Sequence, residues 1–189
     1  DTTLVGYRKS SGWAKDQQVF FYSVLSEPCL QYQIINEGKI TKAKANGKAL
    51  AIEMAFHVKA NDQVLIKTGI SSVSIANAKE NLEAEQKGFN FEETRQKAKD
   101  LWNEQLTKIQ IASDTNNLVK FYTSLYHSML GPTLFSDVNG EYKGPDGLTH
   151  RAASYTRYAT FSLWDTYRAT HPLATLLHPN RTIDFIQSM

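Results

Sequence analysis

Near Ser74 the sequence changes its period, and that change constrains the fold more than any other feature. Before it, the chain runs in short blocks rich in β-branched and aromatic side chains: QVFFYSVLSE at 17–26, then 49–57 and 63–74, with strand-like residues also at the opening. After it, IANAKENLEAEQKG carries Ala, Leu and Glu at helical frequency up to Gly88, where a C-terminal cap is expected. A chain with its strands first and its helices later does not alternate β and α. It predicts an α+β fold of two structural units, without parallel βαβ units.

Within the first unit, Asn46-Gly47 sits between two strand blocks and predicts a hairpin turn, because both central residues of a type I′ turn need positive φ. In the second unit, NFEETRQKAKDLWNEQLTKIQI has Asn90 as a cap and Glu93 three residues on for a capping box. Ala98, Leu101, Trp102 and Leu106 share one face of that helix. The segment TNNLVKFYTSLYHSMLG predicts a third helix through Leu118, Phe121, Tyr122, Leu125 and Met129, stopping at Gly131. Residues 132 to about 160 hold no sustained period and are rich in Gly turns, so they predict a long loop with a small hairpin at DVNGEY. A last helix is expected from Ser162, limited by Pro179. The chain closes on TIDFIQSM with no Gly, Asn or Pro to stop a helix, so a piece of a longer protein is expected.

Several function classes are disfavoured by composition and motif. The formal charge of +2 comes from nearly balanced acids and bases, not the concentrated basic face of a nucleic-acid binder. No apolar run approaches a membrane span, and DTTLVGYRK lacks the core of a signal peptide. There is no GxSxG, GxGxxG or Walker-type loop. Cys29 is alone, which excludes an internal disulfide framework and suits a small apolar filler. His57, His127, His150, His171 and His178 show no metal-ligand spacing. Asp137, Asn139 and Glu141 alternate as calcium ligands do, but the glycine comes too early for an EF-hand loop, and a hairpin turn is the better reading. Trp13 suits a core or interface position better than a ligand platform.

The stretch FSLWDTYRATHPL holds an unusual density of groups that could grip a polar, ring-shaped ligand. On a helix from Ser162, Trp164 and Arg168 lie four residues apart on one face. Asp165 has two readings: a first-turn carboxylate favoured by the helix dipole, or an acceptor of sugar hydroxyls beside the apolar ring of Trp164.

Taken together, GYRKSSGWAKDQQVFF, VLIKTGISSVSIANAKENLEAE, FYTSLYHSMLGPTLFSDVNGEYKG and YATFSLWDTYRATHPL resemble the family 92 glycoside hydrolases, calcium-dependent exo-α-mannosidases abundant in Bacteroidetes. The four segments occur in the family's order and cover nearly the whole chain. The resemblance implies an N-terminal β-sandwich, here the later strands at 1–75, a helical linker at 76–112, and the first helices of an (α/α)6 barrel at 113–189.

It also implies an inverting hydrolysis of terminal α-linked mannose from N-glycans, with α-1,2 as the leading linkage. Inversion needs two carboxyl groups about 6.5 to 9.5 Å apart. In the family the acid, the base and most calcium ligands come from later parts of the barrel, and here they are expected beyond Met189. No catalytic or metal residue is therefore assigned within the chain, and Ca2+ is a cofactor expected of the full-length enzyme. What carries over is substrate binding: Asp165 on mannose hydroxyls, Trp164 lining the same subsite, and Arg168 positioning Asp165 or the loop. The implied partners are a mannosyl oligosaccharide, and the remainder of the chain or another copy covering the open barrel, in a periplasmic or secreted protein. The alternative is a carbohydrate-binding or structural module without chemistry.

Overall fold

The computed structural model describes residues 2–12, 14–42 and 44–189, so Trp13 lies outside the described residues. Strand β1 (Thr3–Ser10) pairs antiparallel with β2 (Gln17–Leu25), and β2 with a strand that comes much later, β6 (Ile66–Ser71). The register aligns Tyr7 with Phe20 and Ser71, and Val5 with Tyr22 and Gly69. Because side chains alternate along a strand, these six positions share one face of the sheet.

Helix α1 (Ile75–Glu85), starting four residues after β6 ends, packs on the β2–β6 part of that face and leaves Val5 and Tyr7 of β1 exposed. Its Lys79 ammonium lies 5.9 Å from the Tyr22 ring. Contact is closest at Gly69, where a Cβ would run into the Ala78 carbonyl oxygen and the Leu82 side chain. Ala78 and Leu82 are accordingly buried, at 0% and 4% exposure. Burying the Leu82 side chain stabilises this junction by about 2 kcal/mol.

Between β2 and β6 the chain makes a second antiparallel sheet, with β3 (Gln31–Asn36) flanked by β4 (Lys39–Thr41) and β5 (Leu50–Ala55). Its tight hairpin is not at Asn46-Gly47. The turn is Glu37-Gly38, with φ of 50° and 80°, between Asn36 and Lys39, which pair directly. Asn46-Gly47 lies in the irregular return to β5, where the Asn36 side-chain amide donates to the Asn46 carbonyl at 3.2 Å. The three-residue edge strand KIT is too short to betray itself by alternation.

The helices begin where expected and end differently. Helix α1 stops at Glu85 rather than at Gly88: Gln86 leaves the helix at φ −135° and ψ 88°, and Lys67 of β6 donates to the carbonyls of Gln86 and Lys87 at 2.9 and 3.0 Å. Helix α2 (Phe91–Leu106) is capped by Asn90, whose side chain accepts from the Glu93 N–H at 3.1 Å. The Glu93 carboxylate accepts from Lys97 at 2.5 Å. Of its predicted apolar face, Trp102 and Leu106 are half-buried, while Ala98 and Leu101 stay exposed. Helix α3 (Thr115–Ser128) meets the C-terminal half of α2, where Trp102 and Tyr126 stack edge-on at 4.6 Å. Leu125 is buried on α3 as its periodicity requires.

The segment after α3 is less irregular than its composition suggests. Strand β7 (Thr133–Leu134) pairs with β10 (Tyr158–Ala159), and β8 (Glu141–Lys143) with β9 (Thr149–Arg151). DVNG does turn, with the Gly140 N–H donating to the Asp137 carbonyl at 2.8 Å and Gly140 at φ 84°. The hairpin itself closes further on, through 144–148. Helices α4 (Leu163–Thr166), α5 (Thr170–Leu177) and α6 (Pro179–Ser188) follow. Met189 caps α6, its N–H donating to the Phe185 carbonyl at 3.1 Å. No helix among the described residues is long and apolar enough to cross a membrane.

Candidate functional site

The stretch 161–168 hangs from the β7–β10 ribbon. Below it, Phe185 of α6 is 6% exposed and takes Tyr158 and Phe161 edge-on, at 4.8 and 6.0 Å between ring centres. These contacts seat the start of the segment and leave the rest outward. Trp164 is 85% exposed, and Leu163, Asp165, Tyr167 and Arg168 are exposed with it.

The single helix expected from Ser162 to Pro179 is interrupted. Helix α4 is one turn long, residues 167–169 form a turn, and α5 starts at Thr170. Pro172 explains the break: inside a continuous helix its ring would clash with the Arg168 carbonyl, whereas in the first turn of α5 its missing N–H costs nothing. Trp164 and Arg168 therefore do not share a helical face. Arg168 lies over the neighbouring Tyr167 ring, 5.7 Å from its centre.

Asp165 sits on α4 with one carboxylate oxygen accepting from the Ser162 hydroxyl at 2.8 Å. A carboxylate has about four acceptor sites, so one hydroxyl leaves capacity for a ligand. The next residue is tied inward: the Thr166 hydroxyl lies 2.8 Å from a His171 ring nitrogen and donates to the Ser162 carbonyl at 2.9 Å. The turn thus presents Trp164 and Asp165 while Thr166 anchors it. An exposed indole next to an under-used carboxylate suits a polar ring with one apolar face.

Two concavities lie nearby, and neither is lined by Trp164, Asp165 or Arg168. One is narrow, between α3, α5 and α6, and includes His178. The other is an open groove of about 370 Å³ bordered by 136–140 and by Arg151, Ala152, Ala153, Tyr155 and Thr156. Among the described residues, then, the Trp164–Asp165 surface is an exposed platform that lines neither concavity.

Calcium fits poorly here. Among the described residues no group of three or more His, Cys, Asp or Glu side chains could hold a metal. The carboxylates weighed for it, Asp137 and Glu141, already accept hydrogen bonds from neutral side chains. Asp137 takes Ser71, Asn77 and Asn81 at 2.6, 2.8 and 2.7 Å, and Glu141 takes Asn77 at 2.8 Å.

Sequence reasoning missed this network because its partners are remote in the chain. It also missed Arg157, which lies 5.1 Å from the Tyr142 ring centre and donates to the Ser188 carbonyl. Tyr142 stacks on His150 at 5.7 Å, and its hydrogen bond with Tyr155 pushes its pKa up. On the hairpin tip, the Leu148 N–H and then the His150 ring hold the Asp146 carboxyl below its usual value.

Residues 1–71 match the glycosyl hydrolase family 92 N-terminal domain, and residues 77–189 match the glycosyl hydrolase family 92 catalytic domain. The whole chain matches a family GH92 alpha-mannosidase from Bacteroides thetaiotaomicron at 34% identity and a TM-score of 0.93, covering 27% of that protein. The same mannosidase in complex with mannoimidazole matches at 34% identity and 0.92, over 100% of this chain and 26% of the other. A family GH92 inverting mannosidase from Bacteroides thetaiotaomicron VPI-5482 matches 99% of this chain at 28% identity and 0.86, covering 26% of its own length. No curated protein matches the sequence. The chain spans about a quarter of the length of the solved mannosidases it matches.

Proposed function

Because the chain belongs to glycosyl hydrolase family 92, we propose that it forms the junction between the N-terminal and catalytic domains of an inverting exo-α-mannosidase, secreted or periplasmic, that removes terminal mannose from glycans. The observation that carries this reading is the match of both domains, in order, together with correspondence of the whole chain to a solved alpha-mannosidase. The mannoimidazole complex of that mannosidase supports a mannosyl substrate. We take α-1,2 as the leading linkage.

In this reading Asp165 accepts hydroxyl hydrogen bonds from the terminal mannose, and Trp164 offers its ring face to the sugar. Ser162 fixes the carboxylate, and Arg168 braces the turn from Tyr167 rather than touching the sugar. The acid and base that inversion requires, and the ligands of the calcium expected with them, are assigned to parts of the protein beyond Met189. A facing wall for the platform is assigned there too.

The full-length protein is to be assayed for mannose release from α-1,2-, α-1,3- and α-1,6-linked mannobiose, with calcium and with a chelator. Calcium-dependent release with inversion is expected. Asp165→Ala should lower kcat/KM at least about a hundredfold, near 3 kcal/mol for a lost set of charged hydrogen bonds. No release from any of the three sugars overturns the enzyme and leaves a non-catalytic sugar-binding module. Unchanged kinetics in Asp165→Ala would remove that residue from the subsite.

A further inference from the structure

Asp137 is buried, at 8% exposure, and among the described residues the side chains that donate to it are neutral: the Ser71 hydroxyl and the amides of Asn77 and Asn81. Asn81 also accepts from the Val138 N–H at 2.9 Å, so side chain and backbone of the turn are both held. A carboxylate serving only a surface turn would stay in water, since burying its charge is costly unless hydrogen bonds replace the hydration. Here three donors and the start of α1, whose dipole favours negative charge, meet that cost. The donors lie in β6 and α1, 56 to 66 residues earlier in the chain.

From Asp137 a continuous set of bonds leads to the sugar platform. The N–H groups of Phe135 and Ser136 donate to the Arg157 carbonyl at 2.9 and 3.2 Å, and the Arg157 N–H returns to the Ser136 hydroxyl at 3.2 Å. Strand β7 then pairs with β10, and the Thr133 and Thr160 hydroxyls meet at 3.2 Å. Thr160 stands at φ 67°, a left-handed backbone that a β-branched residue rarely adopts. Such a conformation is strained and persists only where the surroundings over-determine it. The ribbon supplies that restraint, and α4 begins three residues later.

We propose that Asp137 is a positioning residue: by clamping the 133–137 segment to β6 and α1, it fixes the left-handed turn at Thr160 and so the direction in which Trp164 and Asp165 face the sugar. The proposal rests on the reading of 162–168 as a sugar-binding surface. Its first readout does not depend on that reading.

The test compares Asp137→Asn with Lys67→Met in the full-length protein. Lys67 also ties β6 to the next element, through the Gln86 and Lys87 carbonyls, at a point away from the ribbon. Amide hydrogen exchange over 158–168 should quicken at least tenfold in Asp137→Asn and stay within twofold of wild type in Lys67→Met. Mannose release should follow, with kcat/KM at least tenfold down in the first and within twofold in the second. Unchanged exchange overturns the proposal whatever the kinetics, and quickened exchange with unchanged kcat/KM overturns it as well. If the wild type releases no mannose, the proposed activity fails, while hydrogen exchange still decides whether Asp137 holds the segment. Should Asp137→Asn not fold, Ser71→Ala removes one donor and should quicken exchange over 158–168 at least threefold, and no change there counts against the clamp.

Discussion

Helices α1 and α2 are neighbours in sequence and are capped alike but attached differently. Helix α1 has Ser74 as cap and one exposed pair, Lys79–Glu83, and it buries Asn77, Ala78 and Leu82 against the sheet and the 137–141 turn. Helix α2 has Asn90 as cap and Glu92 and Glu93 in its first turn, with pairs Arg95–Glu92 and Lys97–Glu93 along its side, and buries nothing completely. Exposed pairs of that kind contribute about 0.3–0.5 kcal/mol each. Caps and charge pairs therefore mark where a helix is. Small residues where two backbones touch mark what it is attached to.

The largest effect that this contrast predicts is at Gly69. Gly69→Ala pushes a methyl into the Ala78 carbonyl and should lower unfolding stability of the full-length protein by about 3 kcal/mol in urea, since backbone cannot yield as a side-chain tip can. A loss below about 0.5 kcal/mol, the range of a surface change, would mean that α1 slides freely, and the contrast would collapse. Asn90→Ala on α2 should cost about 1 kcal/mol, the value of one cap, and should leave the exchange of α1 amides untouched. Coupled loss of protection in α1 would show that the two helices are one unit after all.

The smallest effect concerns the distal tie of α2. Just past its end, the Lys108 ammonium lies 3.0 Å from a His178 ring nitrogen and donates to the Leu177 carbonyl at 3.1 Å. Burial first, and then the charges of Lys108 and Arg181, hold the His178 pKa below its usual value. The unfolded chain then binds the proton near the ordinary imidazole pKa of about 6.5, while the folded chain binds it only at lower pH. The stability from neutral His178 is complete above that ordinary value and falls away as pH drops towards the folded one. The melting temperature should fall as pH drops from about 7.5 to about 5.5, a window that brackets the ordinary value, and the fall should shrink in His178→Gln. An equal fall in both proteins would assign the pH dependence to other groups.

Local signals in the sequence suffice where the structure is local. The change of period at Ser74, the strand 17–26, the Asn90 cap and the apolar face of α3 at Leu118, Phe121, Tyr122 and Leu125 all concern neighbours within a turn or a strand. Pro172 is a local signal too, yet the expectation of one helix from Ser162 to Pro179 passes over it, although the break follows from ring geometry. The turn at Glu37-Gly38 is hidden by a stronger-looking pair, Asn46-Gly47, because turn propensity cannot say which strands are adjacent. Asp137 passes for a turn residue for the same reason, since its partners Ser71, Asn77 and Asn81 are distant in sequence. At the site, the residue types in SLWDTYR suggest sugar contact. The outward exposure of Trp164 and the left-handed Thr160 behind it depend on Phe185 and on the ribbon, and only the folded chain reveals them.

The bonds around Asp137 bear on how such a protein can be rearranged over evolutionary time. The family matches end at 71 and resume at 77, which makes the interval look like a seam along which two modules could be exchanged. Ser71 lies on one side and Asn77, Asn81 and Asp137 on the other, so a recombinant that replaces residues 1–71 puts at risk one of the three donors to a buried carboxylate. Exchanging one domain alone is therefore expected to carry a cost at this polar junction unless the incoming domain brings a hydroxyl to the place of Ser71.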